Sequence, residues 1–206
     1  MAYNLESWSL QTGKIFRGIL LASLAGIVYS IVDPIESWIG AADMLSSFGG
    51  GGGVGGSGIL SFISYALMAG IIIGYVLILM GLGGFKEVLD GSDSAAVGRL
   101  RIGFILGIIA IGVDFIPLLG WAAGVLNIIA FVLLLLGYSA LKSSATFPTQ
   151  ARSGASTLFV AAILMVVGEV LDYIPIIGDF ISAVLSLVAF ILVLVGWNKI
   201  KNTIPA

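Results

Sequence analysis

The 206 residues are 59% hydrophobic and only 10% charged, with a formal net charge of -2 at pH 7, a pI near 4.9 and a mean hydropathy of +1.17. Roughly a quarter of a soluble domain's residues are charged, so this is the composition of an integral membrane protein, and its acidic balance argues against nucleic acid as a partner. Cysteine and histidine are both absent, which removes disulfides, zinc-thiolate sites, thiol nucleophiles and the commonest metal ligand and general base.

Residues 1–12 are polar to mixed and precede Lys14 and Arg17, after which 18–32 is uncharged and apolar. A signal-peptide core has a similar look, and Ala22-Ser23-Leu24-Ala25 loosely resembles a small-residue cleavage site. Counterparts of this segment recur later in the chain where no signal can stand, so it reads as a first spanning helix ending near Asp33-Pro34. Residues 36–58 read as an external loop holding Asp43 and the Gly-rich tract 49–58. That tract lacks the lysine and Ser/Thr of a P-loop and follows no strand, so it is expected to be a flexible linker.

Residues 59–81 read as the second helix, and 86–101 as a short charged connection. A third helix is expected from Ile102 to about Asp114. A fourth is expected from Pro117, an apt residue for a first helical position, to Gly137. Residues 142–154 form a polar connection, 155–172 a fifth helix, and the sixth runs from Pro175 to near Trp197, leaving a basic tail. Crossing a ~30 Å hydrocarbon core at ~1.5 Å per residue takes about 20 residues, which several of these segments supply.

One stretch is written three times: Gly74-Tyr75 through Met80-Gly81, Ala130-Phe131 through Leu136-Gly137, and Ala189-Phe190 through Val195-Gly196. Five residues after each closing glycine stands a lysine, Lys86, Lys142 or Lys201. This is the pattern of a helix leaving a bilayer, with the lysine reaching water or phosphate. Val113-Asp114-Phe115-Ile116-Pro117 likewise matches Leu171-Asp172-Tyr173-Ile174-Pro175, with Val32-Asp33-Pro34 a weaker third copy. The expected fold is an all-α integral membrane protein of six transmembrane helices, arranged as three parallel-repeat helical hairpins with pseudo-threefold character. Hairpin 1 is 13–86 with the external loop 36–58, hairpin 2 is 99–142 and hairpin 3 is 155–201, within a single membrane domain 1–206.

All nine basic residues, Lys14, Arg17, Lys86, Arg99, Arg101, Lys142, Arg152, Lys199 and Lys201, fall on the side of the two termini. The opposite side carries Asp33, Glu36, Asp43, Asp114, Glu169, Asp172 and Asp179. The positive-inside rule then places the chain in the cell membrane as a multi-pass protein with both termini cytoplasmic.

Small residues at four-residue spacing, Gly18, Ala22 and Gly26, Ala66, Gly70 and Gly74, Gly103 and Gly107, read as helix-packing seams. Asp33 and Asp114 lie on the extension of the Gly18–Gly26 and Gly103–Gly107 stripes, and Asp172 on that of Ala161 and Met165, where Met165 is the one departure from small residues. Two roles stand open for them and for Glu169: capping of the following helices by accepting their free N–H groups, or an acidic external vestibule for cations. Only twelve residues, about 18 Å of helix, separate Arg101 from Asp114, less than the hydrocarbon thickness. Asn127 and Ser186 occupy equivalent mid-helix positions and are expected to make interhelical hydrogen bonds. Tyr138 and Trp197 read as interface anchors on the basic side, with Trp38 and Trp121 on the other.

No catalytic, cofactor-binding or metal-binding group emerges. The paired aspartates match an aspartyl dyad in number alone, and no flanking motif supports an enzyme. The expected function is a non-enzymatic membrane scaffold or accessory subunit of a membrane complex, associating with the lipid bilayer and with a second copy or another membrane protein. The alternative is a small cation channel or transporter with an acidic external vestibule.

Overall fold

The computed structural model describes residues 4–48, 57–114, 116, 118–171 and 177–204. They form six helices and, among the described residues, no strand: α1 (Leu5–Phe48), α2 (Ser57–Val88), α3 (Gly91–Asp114), α4 (Gly120–Ser143), α5 (Thr149–Leu171) and α6 (Ile177–Lys201). Each contains a run long and apolar enough to cross a membrane. Away from their ends, helices satisfy their backbone N–H and C=O groups within the segment, which hydrocarbon demands of a spanning chain. The chain is an all-α, multi-pass membrane protein.

The helices reach further than the hydrophobic runs. Asn4 Oδ1 accepts the N–H groups of Glu6 and Ser7 at 3.1 and 3.2 Å, so α1 is capped ahead of residues expected to be irregular. It continues through Pro34 to Phe48, and 57–58 already belong to α2, so only 49–56 of the expected external loop 36–58 lies outside the described residues. A proline inside a helix removes one N–H donor, a loss that spanning helices tolerate where the surrounding turns keep their bonds. At the basic end α3 starts at Gly91 rather than Ile102, and α6 persists to Lys201. Gly91, at φ 52, supplies the left-handed residue that separates α2 from α3. The Ser94 hydroxyl donates to the Lys86 carbonyl at 2.9 Å and satisfies the end of α2.

The start of α4 moves the other way, to Gly120 rather than Pro117. The Leu119 N–H bonds the Ile116 carbonyl at 3.1 Å, and Leu118 sits in the left-handed region at φ 74. A helix cannot pass through that residue, so it begins one turn later than proline chemistry suggests.

Contacts group the chain into two units, Met1–Phe16 with Ile78–Ala206, and Arg17–Leu77. In the second unit α1 and α2 meet at small residues. A Cβ on Gly74 would lie 2.7 Å from the Gly18 carbonyl oxygen and from the Ala22 nitrogen, and one on Gly70 would lie 3.3 Å from Ala25 Cβ. Around this seam the large side chains Phe62, Tyr65, Ile31 and Ile72 are exposed, as a lipid-facing surface requires.

The first unit holds the core. Its largest fully buried side chains lie at 8–15, 82–100, 141–158 and 197–200, all at the basic end. The reason is the solvent. Lipid tails give apolar side chains no incentive to leave them for one another, whereas at the membrane surface the alternative is water, and burying a Leu or Phe gains about 1.5–3 kcal/mol.

Three glycines set the packing distance within this unit. A Cβ on Gly81 would meet Ile15 Cγ1 at 2.6 Å and the Gln11 oxygen at 2.9 Å; on Gly137, Leu100 Cγ at 2.7 Å and the Ala96 oxygen at 3.1 Å; on Gly196, Leu158 Cγ at 2.6 Å and the Gly154 oxygen at 3.0 Å. In each case an aliphatic side chain and a carbonyl four residues before it fill the space of the missing side chain.

Candidate functional site at the basic end

Four parts of the chain converge on Trp8. Its indole lies 4.8 Å from the Phe85 ring at 82° and 5.7 Å from the Phe147 ring, and Phe85 and Phe147 are 6.5 Å apart. The Trp8 Nε1–H donates to the Ile200 carbonyl at 3.0 Å. The Thr12 hydroxyl donates to the Trp8 carbonyl at 2.7 Å, which satisfies a polar group that is itself fully buried. Edge-on aromatic pairs add about 0.5–1.5 kcal/mol each beyond the area they bury, so this cluster ties α1, α2, the 144–148 connection and α6 into one cap.

Beside the cluster the two inter-helix connections meet. Ser144 Oγ accepts the N–H groups of Thr146 and Phe147, both at 3.2 Å, folding the connection into a tight turn. The Thr146 hydroxyl donates to Asp93 Oδ2 at 2.7 Å. A carboxylate only accepts, so this bond commits the Thr146 proton and leaves the Ser144 hydroxyl, 2.9 Å away, as donor to Thr146. Asp93 is 1% exposed and sits in the first turn of α3, where the helix dipole favours an anion.

The turn forms one wall of a cleft of about 690 Å3, lined also by Asp90, Ser92, Thr149, Arg152, Thr203 and Ile204. Arg152 donates from Nη2 to Thr149 Oγ1 at 2.9 Å, while its Nε is buried with no hydrogen-bond partner among the described residues. The cleft thus presents both signs of charge and several hydroxyls.

The lysines that follow the closing glycines do not all reach for water. Lys142 Nζ lies 3.6 Å from the centroid of the Phe159 ring and Lys201 Nζ 5.1 Å from that of Phe16, both inside the ~6 Å range of a cation–π contact. Lys86 has no ring. Its Cε would lie 3.6 Å from a Cβ on Gly98, and on the facing helix the Arg101 Cζ would lie 3.5 Å from a Cβ on Gly83.

Protein-family models, curated proteins and solved structures were compared with the chain, and none matches.

Asp33 is within α1, Asp114 is the last residue of α3, Glu169 is within α5, and Asp172 lies outside the described residues, as do the side chains of all four. Asn127 and Ser186 are exposed, and neither has a hydrogen bond among the described residues, so the expected interhelical bonds are not made within this part of the chain. Of the packing residues, Gly18, Ala22, Gly70, Gly74 and Gly103 take part in close approaches, Gly103 meeting the Ala130 oxygen at 3.0 Å, but a Cβ on Gly26 or Gly107 would find nothing within 4 Å. The seams therefore stop short of those two residues.

Tyr138 and Trp197 are not lipid-facing anchors, being 5% and 0% exposed. The Tyr138 hydroxyl approaches the Trp197 indole without reaching hydrogen-bond geometry, and Trp197 Nε1 is buried with no hydrogen-bond partner among the described residues. Trp38 and Trp121 are 78% and 73% exposed, as anchors are. Sequence reasoning missed Trp8, Phe85, Asp93, Thr146 and Phe147. The spacing Trp8, Thr12, Ile15 is helical and continues the apolar face of α1, a signal that the polar residues between them obscure. Nothing in the sequence pairs Asp93 with a threonine 53 positions away.

Proposed function

We propose that the chain is a non-enzymatic membrane scaffold or accessory subunit that holds other transmembrane helices against its outward faces, with both termini cytoplasmic. The observation that carries this reading is Asn127, an exposed amide on α4. It stands seven residues, about 10 Å of helix, from the start of α4 at Gly120. An amide left in hydrocarbon without a partner is costly, and a neighbouring helix with a donor or acceptor removes that cost. Gly124, one turn away, has open space where a Cβ would be, which allows a second backbone to come close. Ser186 is exposed ten residues before Gly196, as Asn127 is ten before Gly137.

We infer further that the three helix pairs form hairpins related by a pseudo-threefold axis along the membrane normal. The matched fillings of Gly81, Gly137 and Gly196 by Ile15, Leu100 and Leu158 support this arrangement.

The test is purification in mild detergent with measurement of the mass of the complex. A stoichiometric second copy or membrane-protein partner is expected, and Asn127→Leu should weaken its retention. A monomeric wild type that carries cations across liposomes would replace the scaffold with the channel or transporter reading.

A further inference from the structure

Counting from the aliphatic residue that fills each closing glycine, Ile15, Leu100 or Leu158, the next residue is Phe16, Arg101 or Phe159. The two phenylalanines each receive a lysine, Lys201 and Lys142 respectively. Where the third aromatic would stand beside Lys86, the chain has placed a second cation. We propose that Lys86 and Arg101 form a site for the phosphate-bearing headgroup of an anionic lipid, in the groove between α2 and α3 at the basic end.

The geometry is reciprocal. Arg101 lies along Gly83 and Lys86 along Gly98, so each long side chain crosses to a glycine on the opposite helix, and the two crossings are one turn apart on both. The glycines leave room for the stems and bring both charged ends to the same groove. Both residues are exposed, and neither side chain has an ion pair, hydrogen bond or ring contact among the described residues. Two cations side by side repel each other, and a shared anion converts that repulsion into attraction. A guanidinium offers a phosphate two parallel N–H bonds, and the ammonium adds a compact charge.

Position argues for a lipid over a free anion. Arg101 falls inside the apolar span Gly91–Val113. Its neighbours toward the hydrocarbon, Ile102 on α3 and Met80 on α2 one turn from Gly83, are 51% and 56% exposed. A headgroup on the cations thus has bare apolar surface below it for acyl chains. Basic grooves between spanning helices recognise anionic headgroups in this way. The proposal requires only that the basic end lie at a membrane surface, and stands apart from the scaffold reading.

The test uses the purified full chain in a neutral detergent, titrated with phosphatidylglycerol while retained lipid and thermal stability are measured. Wild type should bind and be stabilised. Arg101→Phe and Lys86→Ala should each weaken binding by about fivefold or more, the effect of roughly one surface cation, whereas Arg17→Ala, an exposed cation on α1 that lies along no glycine of another helix, should change it by less than about twofold. Arg101→Phe supplies the ring found at the other two lysines, so its lipid-free stability should equal or exceed that of wild type. Should it fail to fold, Arg101→Gln removes the charge with the stem retained and should show the same weakening. Equal losses in all three charge variants would mean general surface electrostatics, and no loss in any would mean no site; either overturns the proposal. Equal stabilisation by inorganic phosphate alone would overturn the assignment to lipid.

Discussion

The Trp8 indole nitrogen donates to the Ile200 carbonyl at 3.0 Å, joining the first turn of α1 to the last turn of α6 across 192 residues of sequence. The same indole packs on Phe85 and Phe147, so one side chain holds both a polar and an apolar tie. The two are separable. Trp8→Phe removes the N–H and should cost about 0.5–1.5 kcal/mol, whereas Trp8→Ala also opens a cavity and should cost about 3–5 kcal/mol. Unfolding of the two variants in detergent checks the order, and equal losses would show that the ring contacts contribute little.

Glycine substitutions should divide by location. On Gly196 a Cβ would meet Leu158 Cγ at 2.6 Å and the Gly154 oxygen at 3.0 Å, and on Gly107 it would meet nothing within 4 Å. Gly196→Ala must push two helices apart, an overpacking cost of about 1–3 kcal/mol. Gly107→Ala gains about 0.8–1.0 kcal/mol of helix propensity with no clash. Melting temperatures should move in opposite directions, and destabilisation by both would mean that Gly107 faces a helix after all.

What could be read from the sequence follows from which physics repeats. Six apolar runs of spanning length gave the helices, because hydrocarbon imposes the same demand on each. Helix ends were misplaced because they were set where hydrophobicity stops, at Ile102 or Trp197, while the backbone goes on pairing with itself from Gly91 or to Lys201. The cap at the basic end was hidden for a related reason: Trp8 and Phe147 lie among polar residues, and their partners are tens to hundreds of positions away. Glycine spacing found the seam at Gly74 and Gly103 but overran it at Gly26 and Gly107, since spacing reports a helix face and says nothing of how far two helices stay together.

Orientation is open to direct test. Single cysteines at Ser57 and Ala145 in this cysteine-free chain should label oppositely with a membrane-impermeant thiol reagent in intact cells. Position 57 should react and position 145 should not, as the one-sided distribution of basic residues requires. The reverse pattern would place the basic end outside.

The bond between Thr146 and Asp93 should hold the 144–148 connection to the first turn of α3 and shape the cleft beside them. At 2.7 Å, with the acceptor 1% exposed, it belongs to the charge-assisted class, worth about 1.5–3 kcal/mol. Thr146→Val keeps the side-chain shape but removes the donor, leaving a buried carboxylate short of a partner. Asp93→Asn keeps an acceptor and removes the charge, so it should cost less. Thr146→Ser retains the hydroxyl and should recover most of the loss, which distinguishes the hydrogen bond from the packing of the threonine methyl. In a double-mutant cycle with Asp93→Ala and Thr146→Val, a coupling energy of at least about 1 kcal/mol is expected, since the two groups share one bond. Additive losses would mean that the residues act independently and that the turn is held by Ser144 alone. Protease sensitivity of the 144–148 connection gives a second readout: cleavage there should rise in Thr146→Val and stay at the wild-type rate in Thr146→Ser.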